Sequence, residues 1–170
     1  IISRVQKRYI PKPTQTEILK QLNDIFVEKK YDTTFADSQY DSAFDEAYEI
    51  SDGYLGSAID VVCNKEYREN YKFAQNFIRN CQKSTDVINF VGYFNKNNFE
   101  EIIYLFSKIY RSMLIANLTN TQNSAYSNAA LVKIIKLLNE YKKMYESNVS
   151  ISALCENLLL KIMEIKNLCK

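Results

Sequence analysis

Ser51-Asp52-Gly53-Tyr54-Leu55-Gly56-Ser57-Ala58-Ile59 holds two of the three glycines in the chain. On either side the sequence reads as helical segments divided by short polar breaks. A glycine pair in so glycine-poor a chain marks a sharp backbone turn or a very close packing contact. Ser51-Asp52-Gly53 ends one apolar helical pattern, and Leu55, Ala58, Ile59 and Val62 carry the next. The stretch therefore opens the third helix of a small helical unit, and a larger helical bundle follows.

Upstream, a second helix is expected over about residues 39–50, burying Ala43, Phe44, Ala47 and Tyr48. Asp37, Asp41, Asp45 and Glu49 recur every four residues on its outer side. They lack the alternating ligands and the glycine of a calcium loop, so they read as a solvated face. Residues 31–38 form a polar connection. Before them, Thr14-Gln15-Thr16-Glu17 fits a capping box, and Ile18, Leu19, Leu22, Ile25 and Phe26 follow at helical spacing. That first helix should end near Lys29-Lys30, where cations suit a C-terminus. Residues 1–13 read as extended. Ile2, Val5 and Ile10 are β-branched, and Pro11 and Pro13 bar a helix through them.

Downstream the apolar pattern lengthens. Tyr67, Tyr71, Ala74, Phe77, Ile78 and Cys81 share one face. Ser84-Thr85-Asp86 can cap a short helix with Val87, Ile88, Val91 and Phe94 inside. After a polar break at 95–98 come Phe99, Ile102, Ile103, Phe106, Tyr110, Met113 and Leu114 on one stripe. A loop over 117–124 leads to Leu131, Ile134, Ile135, Leu138, Tyr141 and Tyr145. A break at 148–150 precedes a last helix with Ile151, Leu154, Leu158, Ile162, Ile165 and Leu168 inside. No internal repeat is evident, and no strand pattern occurs beyond the first dozen residues. The expected fold is all-α: a three-helix unit over 1–64, then a five-helix antiparallel bundle over 65–170. The boundary has no Gly, Pro or Ser run, so it is not a flexible linker.

Composition narrows the function classes. A chain of 170 residues with 46% hydrophobic residues can bury one good core or two small ones. A net charge of +2 is too balanced for a dedicated nucleic-acid binder. Lys7, Arg8 and Lys12 form a local basic cluster, which leaves nucleic-acid contact as a minor reading. No apolar run approaches the ~20 residues of a membrane span, so no membrane partner is expected. Histidine is absent, which removes the commonest general base and metal ligand. Cys63, Cys81, Cys155 and Cys169 form no CxxC pair. They read as reduced thiols of a cytoplasmic protein, and no metal or cofactor is expected. There is no phosphate loop, no GxGxxG, no HExxH and no paired carboxylates in an apolar setting. A self-contained active site is not expected.

Two short motifs resemble the clamp-loader AAA+ ATPases. One is Ile2-Ser3-Arg4-Val5-Gln6, followed by Ile10-Pro11 and a capped helix. In that family a strand of the ATPase domain ends in Ser-Arg-Cys before the chain crosses into a three-helix lid. Ser3 and Arg4 match, and Val5 replaces the cysteine. The other is Ser51 to Ala58, which matches the glycine-containing turn that opens the third lid helix. The resemblance implies a small three-helix AAA+ lid followed by a five-helix collar-type bundle, with the N-terminal ATPase-fold domain left off the start at Ile1. It implies that Arg4 reaches a neighbouring subunit's ATP site as an arginine finger in trans. A guanidinium there offsets charge building on the γ-phosphate.

Hydrolysing subunits of that family carry an ATP-sensing arginine near the position of Gly56, and no basic residue lies between Lys30 and Asn64 here. The likeness therefore favours a non-hydrolysing subunit over a motor (gamma/tau-type) one. The implied partners are gamma/tau and delta subunits in a hetero-oligomer, with the sliding clamp and primed DNA met indirectly. The alternatives are a motor-type subunit and an unrelated all-helical interaction module with some of its many aromatics exposed. Gly56 has its own structural reading too, as a site of close helix packing.

Overall fold

The structure is a computed structural model. It describes residues 13–28, 40–51, 53–119, 126–145, 147 and 150–168. The described residues are helical, with no strand among them. Eight α-helices occur in order: α1 Gln15–Asn23, α2 Tyr40–Ser51, α3 Leu55–Cys63, α4 Lys65–Asn80, α5 Ile88–Val91, α6 Phe99–Leu118, α7 Asn128–Tyr145 and α8 Ile151–Leu168. The chain divides into two compact units, Ile1–Arg68 and Glu69–Lys170. The partition falls inside α4, four residues beyond the break in the apolar pattern at Asn64.

In the first unit α1, α2 and α3 pack on one another. The capping box forms as the sequence suggests. The Glu17 N–H donates to Thr14 Oγ1 at 3.3 Å, and Glu17 Oε2 accepts from the Thr14 N–H at 2.7 Å. After Asn23 the helix widens into one π-helical turn, Asp24–Glu28. The expected end at Lys29-Lys30 lies outside the described residues. Ile18, Leu22 and Phe26 from this segment meet Phe44, Ala47 and Ile50 of α2 and Ala58, Val61 and Val62 of α3 in the core. Phe26 and Phe44 place their ring centroids 6.0 Å apart. Leu19, Ile25, Tyr48, Leu55 and Ile59 are only half-buried. Asp45 is exposed, as a solvated acidic face requires. Asp37 and the side chains of Asp41, Ala43 and Glu49 lie outside the described set.

The second unit is built on aromatic contacts. Phe77 of α4 meets Phe90 of α5 at 5.2 Å and Phe106 of α6 at 5.4 Å, edge to face in each case. Phe73 stacks on Tyr93 at 4.1 Å. The pairing of α6 with α7 is antiparallel, because Phe99 at the start of α6 stacks on Tyr145 at the end of α7. At the other end, Asn117 donates to the Tyr126 carbonyl and to Asn128 Oδ1. Helix α8 packs on α7, on α5 and on the 3-10 turn Ser84–Val87 before α5. Lys166 ties α8 to the end of α4 by donating to the carbonyls of Ile78 and Cys81.

Two apolar residues expected inside the bundle lie outside it: Ile88 is 75% and Leu168 85% exposed. The Ser84–Val87 turn is 3-10, so Ile88 falls off the inward line that a continuous α-helix would give it. Leu168 is the last described residue of α8. The cap at 84–86 comes from Asp86 alone, whose carboxylate accepts from the N–H groups of Gln82 and Lys83.

Candidate functional site

The best-defined local geometry near a sequence motif is the Ser51–Ile59 stretch. The Ser51 hydroxyl donates to the Tyr48 carbonyl at 3.0 Å, and the Tyr54 N–H closes the turn onto the Ser51 carbonyl at 3.2 Å. Gly53 sits inside that turn with φ 79°, a left-handed value that favours glycine. Tyr54 then adopts extended backbone as the N-cap of α3, and its carbonyl accepts from the Ala58 N–H at 2.9 Å. Ala58, Val61 and Val62 turn inward and are buried. Tyr54, Gly56, Ser57 and Asp60 turn outward and are exposed.

Gly56 is therefore a first-turn residue of α3 on the solvent side. A Cβ built on it meets nothing within 4 Å. This corrects the reading of Gly56 as a close-packing glycine, because no neighbouring helix approaches it. The two glycines have different causes: Gly53 is set by backbone geometry, whereas neither packing nor φ requires glycine at position 56. Among the described residues no charged side chain stands in the first turn of α3, which has helix-end amides and the Ser57 hydroxyl to offer an anion.

Ser3 and Arg4 lie outside the described residues, as do Lys7, Arg8 and Lys12. Among the described residues no cluster of three metal-ligating side chains occurs, and no helix is long and apolar enough to cross a membrane.

Neither buried cysteine carries an activated thiol. Cys81 and Cys155 are buried and free, and Cys63 is free and exposed. Burial pushes the Cys81 thiol up, Asp86 adds to the rise, and Lys166 opposes it. Burial alone takes Cys155 up to about 12. Cys169 lies outside the described residues.

Sequence reasoning missed a set of buried polar groups. Arg68, Asn70, Asn98 and Ser51 are buried. Asn70 donates to Glu101 and accepts from the Tyr93 hydroxyl at 2.9 Å. Asn98 Oδ1 accepts from the Asn95 N–H at 2.8 Å, and its amide donates to the Tyr93 carbonyl at 2.9 Å. Hydropathy patterning assigns such residues to the surface, so only the Asn-rich 95–98 break hinted at them. Tyr110 is fully buried, and its hydroxyl makes no hydrogen bond among the described residues. Burial first, and the Tyr126 phenol next, hold it well above the usual tyrosine range. Of these groups, Asn70 links α4 to α6 and to Tyr93, whereas Asn98 ties the 93–98 break together and Ser51 bonds within its own helix. No family model, curated protein or solved structure matches the chain.

Proposed function

We propose that this chain is the lid and collar part of a non-hydrolysing clamp-loader subunit, of the kind represented by the delta prime subunit of bacterial DNA polymerase III. In this reading the first unit is the lid and the second the collar. Through the collar the protein joins gamma/tau motor subunits and a delta subunit in the holoenzyme. It gives Arg4 to a neighbour's ATP site while the motors open and release the sliding clamp at primed DNA. The chain itself neither binds nor hydrolyses ATP; its part in nucleotidyl transfer is indirect, through the polymerase it serves.

The observation that carries the proposal is Gly56. It follows a positive-φ turn at Gly53, opens α3, faces solvent and has room for a side chain. A Cβ fits the position without a clash, and the residue present has no side chain with which to contact a phosphate. That combination supports a subunit that has given up nucleotide sensing over a motor subunit. Two compact units, each with its own core, also run against an unrelated module built on one common core.

Two experiments test this. The coding sequence upstream of Ile1 should encode an ATPase-fold domain with a degraded phosphate loop. An intact GxxxxGK[ST] there would turn the reading to a motor subunit, and no ATPase-fold domain would end it. In the assembled loader, Arg4→Ala should cut DNA-stimulated turnover at the site it serves by about 10³-fold, the low end for a lost arginine finger. Unchanged turnover would remove Arg4 from the chemistry.

A further inference from the structure

The corner between α3 and α4 is made by one residue, Asn64, in extended conformation with φ −111° and ψ 98°. A helix leaves its last four carbonyls without intrahelical partners. In α3 these belong to Asp60, Val61, Val62 and Cys63. The Asp60 carbonyl accepts from the Asn64 N–H at 2.9 Å. The next two accept from a single atom, Nη1 of Arg68, at 2.9 Å for Val61 and 2.6 Å for Val62. In the opposite direction, Asn64 Oδ1 accepts from the Tyr67 N–H at 3.0 Å and caps the first turn of α4. Each helix end is thus closed by a side chain from across the corner.

The charge placement points the same way. A cation in the first turns of a helix opposes that helix's own dipole. Arg68 stands early in α4, an unfavourable place for α4, yet its guanidinium lies on the negative C-terminal end of α3. Its side chain is buried, and charge-assisted bonds to backbone carbonyls are strong when water is kept away. Arginine suits the task because its delocalised guanidinium keeps its charge and is more weakly hydrated than a lysine ammonium, so it is buried at lower cost.

We infer that the α3–α4 corner is locked by the Arg68 guanidinium and becomes a local hinge once that group is removed. While the lock holds, a movement of α3 carries the first turn of α4 with it. Arg68 is a positioning residue, and its role does not depend on the clamp-loader proposal.

Native-state hydrogen exchange on the whole chain tests the inference, comparing the unaltered protein with Arg68→Met and Arg68→Lys. In the unaltered protein the Asn64 and Tyr67 amides should exchange slowly despite their exposed setting. Arg68→Met should speed both by roughly 10- to 100-fold, the range expected when a buried charge-assisted bond is lost. Amides of Ile102 and Leu131 in the other unit should keep their rates. Arg68→Lys should recover part of the protection, because an ammonium can still reach one carbonyl. Three results would overturn the inference: fast exchange at the corner in the unaltered chain, no change in Arg68→Met, or loss of protection across α1, α2 and α3 together. The last would make Arg68 a general core residue and not a local lock.

Discussion

The two units solve the problem of stability differently. Among the described residues the first has short helices and a mainly aliphatic core of Ile, Leu, Val and Ala, with Phe26 against Phe44. Its ends are tied by side chains: Thr14 with Glu17, Ser51 with the Tyr48 carbonyl, and Arg68 with α3. The second has helices of up to 20 residues and a run of touching rings from Tyr93 through Phe73, Phe90, Phe77 and Phe106 to Tyr110 and Tyr126. A domain below about 70 residues buries too little apolar surface to be more than marginally stable. Both units use caps and side-chain ties, and among the described residues the large one adds to them a run of buried rings.

The harshest way to break that contrast is Phe77→Ala. Phe77 is buried and touches rings of two other segments, so its loss should cost the second unit about 3–5 kcal/mol. Denaturant unfolding followed by labelling of Cys81 and Cys155, both buried in this unit, measures it. Cys63, exposed in the first unit, should label at the same rate in mutant and parent. A cost below about 1 kcal/mol would mean that the ring run does not hold the unit.

Thr14→Ala comes next and probes the first unit. Loss of an N-cap hydroxyl costs about 1 kcal/mol, read as a lower denaturation midpoint for α1 and its neighbours. The same cap carries a pH signature. Its hydrogen bonds to Thr14 hold the Glu17 carboxyl below its ordinary 4.5. A carboxyl held low in the folded state stabilises above its unfolded value and loses that contribution as pH falls through the folded value. The first unit should therefore weaken from about pH 4.5 downward, and Glu17→Gln should abolish that part of the acid response. Far-ultraviolet circular dichroism against pH follows both.

The smallest effect should be a gain. Gly56→Ala adds a methyl where nothing lies within 4 Å, and it replaces the poorest non-proline helix former. Stabilisation should reach about 0.5–1 kcal/mol, less if the first turn frays. Destabilisation would show that Gly56 has a packing partner after all. Gly53→Ala should do the opposite, since φ 79° strains any residue with a Cβ.

Much of the fold was legible because helical periodicity is a local property. The faces carried by Ile18 and Leu22, by Phe99 to Tyr110, and by Leu131 to Tyr141 are buried as their spacing predicts. So is the Thr14–Glu17 cap, whose partners lie three residues apart. The misses share a cause. Ile88 depends on whether a turn is 3-10 or α, and Leu168 on whether anything covers a helix end; neither is written in spacing. Gly56 was readable as a helix opener but not as an exposed one, since what stands beside a glycine is a tertiary fact.

The sequence by itself determined that the described segments from Thr14 onward are helical, roughly where most of their helices begin, and that a break falls at Ser51–Tyr54. Those features rest on interactions within a few residues. Only the tertiary structure decided that Arg68 and Asn70 are interior groups, that Gly56 faces solvent, and that a run of rings fills the second core. Burial depends on which distant segment arrives opposite a side chain, and a hydropathy pattern holds no record of that.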